Sequence, residues 1–156
     1  MNNLVKAIIS IAIPLGIGVL GSLFTTPEID GWFRTLQKPS WNPPDWIFGP
    51  VWTLLYVLMG IAFFLVWKAE RQTGKSTAFC LYVIQLVLNL GWSFVFFNRH
   101  EIGWALAEIA VLWLFILLTI FSFARFHKAA AWLLVPYISW VSFAAILNYT
   151  IWQLNR

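Results

Sequence analysis

The chain has 156 residues, 61% of them hydrophobic and 10% charged. Water-soluble domains carry about 25% charged residues, so the composition excludes one and requires an integral membrane protein. The net charge of +4 comes from basic residues scattered between apolar runs, which fits membrane topology and no nucleic-acid partner, and the single cysteine, Cys80, excludes an intrachain disulfide and any cysteine-based metal site.

A helix crossing a hydrocarbon core of about 30 Å needs about 20 residues. Five segments predict such helices: 5–24, 46–67, 77–97, 103–124 and 132–152. They use nearly the whole chain, so 1–156 is expected to be one membrane domain, an all-α bundle of five helices. The first apolar run has glycines through its centre and no Ala-x-Ala-like site after it, so it reads as a span and not as a signal peptide. Its Ala12, Gly16, Gly18, Gly21 and Ser22 permit close helix approach, against a neighbour or a second copy in a homodimer. Pro14 is expected to bend it.

Residues 25–45 form the one long connection. Pro39, Pro43, Pro44 and Pro50 fix φ and remove backbone donors, so the approach to Trp46 reads as stiff and turning. Trp41, Trp46 and Trp52 alternate with these prolines and suit a boundary between apolar and wet surroundings. The segment is therefore predicted to be an ordered lid. The other connections, 68–76, 98–102 and 125–131, are short and make consecutive helices antiparallel neighbours.

Lys6, Lys68, Arg71, Lys75, Arg125 and Lys128 fall on one side, against Arg34, Lys38, Arg99 and Arg156 on the other. The positive-inside rule then places the N-terminus in the cytoplasm and the lid and C-terminus opposite.

Polar residues within spans carry the functional signal, because hydrocarbon tolerates them only with partners. Gln85, Asn89 and Trp92 share one face of the third span, Trp140, Ala144 and Asn148 one face of the fifth with Tyr137 close by, and Trp52 and Tyr56 one face of the second. Trp52, Asn89, Trp92, Glu108 and Asn148 all lie within about 12 Å of the outer surface at about 1.5 Å per residue. They converge beneath the lid, and an aromatic pocket with a few amides is the usual form of a small-molecule site. Each has an architectural alternative: the asparagines as interhelical hydrogen bonds, the tryptophans as an interfacial belt, Glu108 as a protonated or snorkelling side chain. Trp32, Trp67, Trp104, Trp132 and Trp152 read as belt anchors. His100 and His127 sit on opposite faces, and no Ser-His-Asp set, phosphate-binding glycine loop or paired catalytic carboxylates is present.

Lys38-Pro39-Ser40-Trp41-Asn42-Pro43-Pro44 running into Phe48-Gly49-Pro50-Val51-Trp52-Thr53-Leu54-Leu55-Tyr56, then Gln85 through Ser93, then Pro136-Tyr137 with Trp140 through Asn148, resemble the TspO/MBR family across essentially the whole chain. That family comprises bacterial tryptophan-rich sensory proteins and the mitochondrial translocator protein, or peripheral-type benzodiazepine receptor. The resemblance implies a five-helix bundle, commonly dimeric, with a pocket under the first loop for tetrapyrroles such as protoporphyrin IX and for benzodiazepine-type ligands. The tetrapyrrole enters as ligand and no resident cofactor is required. The expected contacts are Trp41, Trp52, Tyr56, Asn89, Trp92, Trp140, Ala144 and Asn148, with Ala144 setting the room for bulky ligands. Indole faces suit a flat macrocycle, and amides with loop cations are expected to meet its propionates.

Two rival activities come with the resemblance: light- and oxygen-dependent protoporphyrin IX degradation, with Trp52 and Trp140 as the catalytic tryptophans, and tetrapyrrole or lipid transport. The absence of an internal repeat weighs against an inverted-repeat transporter. A C-terminal cholesterol pattern begins at Leu147-Asn148-Tyr149, but the next basic residue, Arg156, stands one position too far along. The cholesterol pattern is therefore incomplete and leaves cholesterol binding open, and a bacterial cell membrane is the expected location.

Overall fold

A computed structural model describes residues 1–156, and its regular structure is entirely helical. The elements are α1 (Asn3–Ile29), α2 (Trp32–Thr35), a 3-10 turn (Asp45–Ile47) leading into α3 (Phe48–Lys68), α4 (Lys75–Ser93) continued by a π-helical turn (Phe94–Asn98), α5 (Ile102–Ala124), α6 (Lys128–Leu133) and α7 (Val135–Asn155). Five of them, with α6 and α7 forming one, are long and apolar enough to cross a bilayer. In hydrocarbon every backbone donor must be satisfied within its own segment, which only a helix does for a single span. The protein is an integral membrane five-helix bundle.

The spans differ from the predicted ones at their ends. α1 has 27 residues, about 40 Å at 1.5 Å per residue, and carries Thr25 through Ile29 beyond the apolar run as helix. Its helical hydrogen bonds continue after hydrophobicity stops, so the connection is shorter than 25–45. Pro14 and Pro27 both lie inside α1, and the backbone remains helical through each. The fifth span begins earlier than 132, with α6, and turns at Leu134 into α7.

α1 packs on α3 and α4, α5 on α4, α6 and α7, and α3 reaches α6. Glycine sets the first of these seams: a Cβ at Gly60 would stand 2.6 Å from the Ile11 Cα and 2.8 Å from the Ser10 carbonyl oxygen. Gly21 faces Ser93 on α4, whereas Gly16 meets nothing within 4 Å. The small residues of α1 thus divide between an inward seam and an outward face. One large cluster, including Met59, Tyr82, Ile116 and Phe123, fills the bundle interior, and Lys75 Nζ donates to the Trp67 carbonyl at the end that carries Lys6. At the other end a smaller cluster, Phe33, Phe96, Phe97, Ala105, Leu147 and Ile151, lies under the connection.

That connection is tied down on three sides. Trp32 stacks on His100 with ring centroids 4.1 Å apart and planes 10° from parallel, and His100 Nε2 lies 3.2 Å from Glu28 Oε2. Phe33 is buried against Phe96 and Phe97. Asn155 receives the Gln37 N–H at 2.9 Å and donates to the Gln37 carbonyl at 2.8 Å. His100 holds φ at +57°, a conformation that costs a non-glycine residue energy and needs such surroundings to persist.

Candidate functional site

A cavity of about 620 Å³ lies between α1, α3, α4, α5 and α7, under the tethered connection. Seven residues singled out by spacing and depth line it together: Trp52 and Tyr56 on α3, Asn89 and Trp92 on α4, and Trp140, Ala144 and Asn148 on α7. Trp41 does not. It is 46% exposed and turns its ring onto Phe143, 5.9 Å away, because the stretch before Pro43-Pro44 lays it over the flank of α7. Glu108 also stays out of the lining, lying against Gly91 on the α4–α5 seam with both carboxylate oxygens unpartnered.

The polar side chains in this group fall into two kinds. Tyr56 donates to Asn89 Oδ1 at 2.7 Å, Asn89 Nδ2 donates to the Tyr137 hydroxyl at 2.8 Å, and Tyr137 donates to Gln85 Oε1 at 2.7 Å. Tyr137 spends its only proton on Gln85, so it must accept from Asn89, and this fixes the orientation of the amide. The chain of bonds links α3, α4 and α7 at the cavity floor. A second ligature stands nearer the outer end: Trp92 Nε1 donates to Asn148 Oδ1 at 2.9 Å, and Asn148 Nδ2 donates to the Ile102 carbonyl at 3.0 Å. Tyr56, Asn89, Trp92 and Asn148 therefore use their polar groups to hold the helices around the space.

Trp52 and Trp140 are different. Neither indole N–H has a hydrogen-bond partner within the chain, and both side chains line the cavity. Trp52 leans on Tyr56 and Tyr137, with ring centroids 5.6 and 6.2 Å away, and Trp140 packs against Phe48 and Phe143. Two free N–H donors on large apolar faces can bind the acceptor atoms of a flat ligand. Ala144, one turn beyond Trp140 on α7, keeps the space beside that ring open.

Spacing alone missed Phe33, Phe48, Phe96, Phe97 and Gly18 as parts of the wall. The π-helical turn brings Phe96 and Phe97 inward after the regular helix ends; such turns recur at functional sites. The run Phe94-Val95-Phe96-Phe97 was the available signal. Gly18 is required by contact, since a Cβ there would come within 2.7 Å of the Tyr56 ring.

The mouth is on the α1–α3 side, where Val19, Ser22 and Thr26 on one helix and Gly49 and Thr53 on the other are exposed lining residues. The expectation that loop cations meet a ligand's acids does not hold for the described geometry. Arg34 pairs with Asp30, Lys38 Nζ donates to the Phe33 and Leu36 carbonyls, and neither lines the cavity. Lys38 closes the end of α2, where last-turn carbonyls lack helical partners, and Arg34 is held by Asp30.

The family model described as TspO/MBR matches residues 10–153. The chain is 47% identical to the tryptophan-rich protein TspO of Chlorobaculum tepidum, over 96% of this chain and 98% of that one. It is 40% identical to the translocator protein of Homo sapiens, over 88% of this chain and 82% of that one. Identity is again 40% with the tryptophan-rich sensory protein of Cereibacter sphaeroides, over 81% and 78%. With the match running through all five spans and their aromatic cavity, the chain belongs to the TspO/MBR family.

Proposed function

We propose that this protein is a membrane receptor whose cavity holds a flat, largely apolar ligand of the tetrapyrrole class, protoporphyrin IX included, and benzodiazepine-type aromatics. The observation that carries the reading is the pair of unpartnered indoles, Trp52 and Trp140, on the wall of a space of about 620 Å³, within the roughly 300–1,000 Å³ of small-molecule pockets. The relatives' names, sensory protein and translocator protein, support a role in sensing or transfer. The end bearing Lys6, Lys68, Arg71 and Lys128 faces the cytoplasm in this reading, and the ligand enters from the opposite leaflet. A second copy packs on the outward α1 groove formed by Ile9, Ala12, Ile13, Gly16 and Leu20.

The test is a titration of purified protein with protoporphyrin IX in the dark, followed by quenching of tryptophan fluorescence. Saturable binding is expected, weakened at least about tenfold by Ala144→Leu, which fills the space, and severalfold by Trp52→Phe, which removes an N–H and ring area. Unchanged affinity in both variants refutes the assignment.

A second reading, photo-oxidative degradation of the bound porphyrin, is favoured by the position of Trp52 within 5.6 and 6.2 Å of two phenol rings. Such a cluster can pass an oxidising equivalent away from the indole. Illuminating the same samples under oxygen separates the readings: a Trp140→Phe variant that keeps the full degradation rate leaves only self-sensitised loss of the pigment.

A further inference from the structure

Asp45 is the only residue with a formal charge on the wall of the cavity. It is exposed, stands at the first position of the 3-10 turn that feeds α3, and lies on the side where the cavity opens. No cation neutralises its carboxylate, and no hydrogen bond holds it. At this end Arg34 pairs with Asp30 and the His100 ring contacts Glu28, while Lys38 is spent on backbone carbonyls. A ligand seated against Trp52 and Trp140 thus meets apolar faces, N–H donors and hydroxyls, and one negative charge at the exit.

We propose that Asp45 is a specificity-determining residue of this cavity, disfavouring ligands that present an acidic group at the mouth and favouring uncharged or amine-bearing aromatic ones. The proposal rests on the reading that the cavity binds ligands and narrows the ligand class. Two like charges about 7 Å apart at an effective dielectric of about 40 repel enough to change affinity about tenfold, and solvent exposure reduces this toward threefold. A tetrapyrrole diacid is accordingly held less tightly than its neutral diester.

The test uses two fluorescent dyes with one aromatic frame, the uncharged N-phenyl-1-naphthylamine and its anionic sulfonate, titrated into the full chain in nanodiscs of zwitterionic lipid with empty discs subtracted. Asp45→Asn is expected to tighten the sulfonate about three- to tenfold, and Asp45→Lys further, while the uncharged dye changes less than about twofold. Added salt should shrink the contrast. Sulfonate affinity that stays the same in both variants overturns the proposal, and so does an equal gain for both dyes, which would report a change of shape and not of charge. Protoporphyrin IX and its dimethyl ester are titrated alongside. A dye contrast without porphyrin binding keeps the role of Asp45 and removes the tetrapyrrole reading; porphyrin binding with no charge contrast in any variant keeps that reading and removes the role of Asp45.

Discussion

Replacing Asn89 by leucine takes away the amide that joins Tyr56 to Tyr137 while conserving most of its volume. Two hydrogen bonds of 2.7 and 2.8 Å are lost. The consequences for the two tyrosines differ. Tyr137 still donates to Gln85, whereas the Tyr56 hydroxyl, on a side chain only 7% exposed, is left with no partner. Side-chain hydrogen bonds within membrane bundles contribute about 0.6 kcal/mol on average and about 1.7 at most, so Asn89→Leu should destabilise the fold by about 1–3 kcal/mol. Tyr56→Phe should cost about 0.6–1.7 kcal/mol, because it strands Asn89 Oδ1. The double variant removes both partners of one bond, and its cost should fall short of the sum by about 0.5–1.5 kcal/mol. The assay is reversible unfolding in mixed micelles of rising SDS content, followed by near-ultraviolet circular dichroism. Costs that add to within about 0.3 kcal/mol would refute the idea that these groups form one structural unit. The cycle also bears on recognition. An amide committed to two tyrosines affects ligand affinity through ring positions, so Asn89→Leu and Tyr56→Phe should shift porphyrin affinity in the same direction.

Gly60→Ala should lower stability by about 1–3 kcal/mol, since its Cβ meets backbone atoms of Ile11 and Ser10 that cannot turn aside. Gly16→Ala meets nothing within 4 Å in its own chain, so where the protein is monomeric it should be neutral or stabilising by up to about 1 kcal/mol through helix propensity; the same SDS titration distinguishes the pair, and equal losses would show that the α1–α3 seam is not set by close approach. His100→Ala removes both the Trp32 stack and the Glu28 pair, so limited proteolysis should cut after Arg34 several times faster, with the bundle itself unchanged by circular dichroism.

What the sequence made legible follows from which signals are periodic. The five spans are visible because hydrocarbon demands about 20 apolar residues in each, and Trp52, Asn89, Trp140 and Asn148 could be placed on shared faces because helical spacing is regular. The failures occur where regularity ends. Trp41 precedes a proline pair whose direction no periodicity encodes. Phe96 and Phe97 enter the wall through a π-helical turn, which rotates side chains off the 3.6-residue pattern. The end of α1 passes Thr25, Thr26 and Pro27, where composition reads as loop while backbone hydrogen bonding continues. Nor does spacing show whether a polar group is free. Asn89 and Trp52 looked equivalent as pocket residues, yet the amide is held at both ends by tyrosines and the indole N–H has no partner in the chain.

Under the proposed function, that difference decides how the cavity recognises what enters it. Lipid tails are as apolar as leucine, so hydrophobic burial does not by itself press these helices together; the space persists because the Tyr56–Asn89–Tyr137–Gln85 chain and the Trp92–Asn148–Ile102 chain brace its walls. The bracing consumes most of the polar capacity that a ligand would otherwise use. Even the hydroxyls of Ser22 and Thr53 at the mouth bond to carbonyls of their own helices, Val19 and Gly49. Few directional contacts remain beyond the two indole N–H groups, so shape and aromatic faces must supply most of the affinity, and such surfaces accept any flat apolar molecule of suitable size. On the proposed reading, discrimination comes from what is excluded: bulk at Ala144 and charge at Asp45. A cavity of this kind separates ligands by the groups it rejects more than by the bonds it offers.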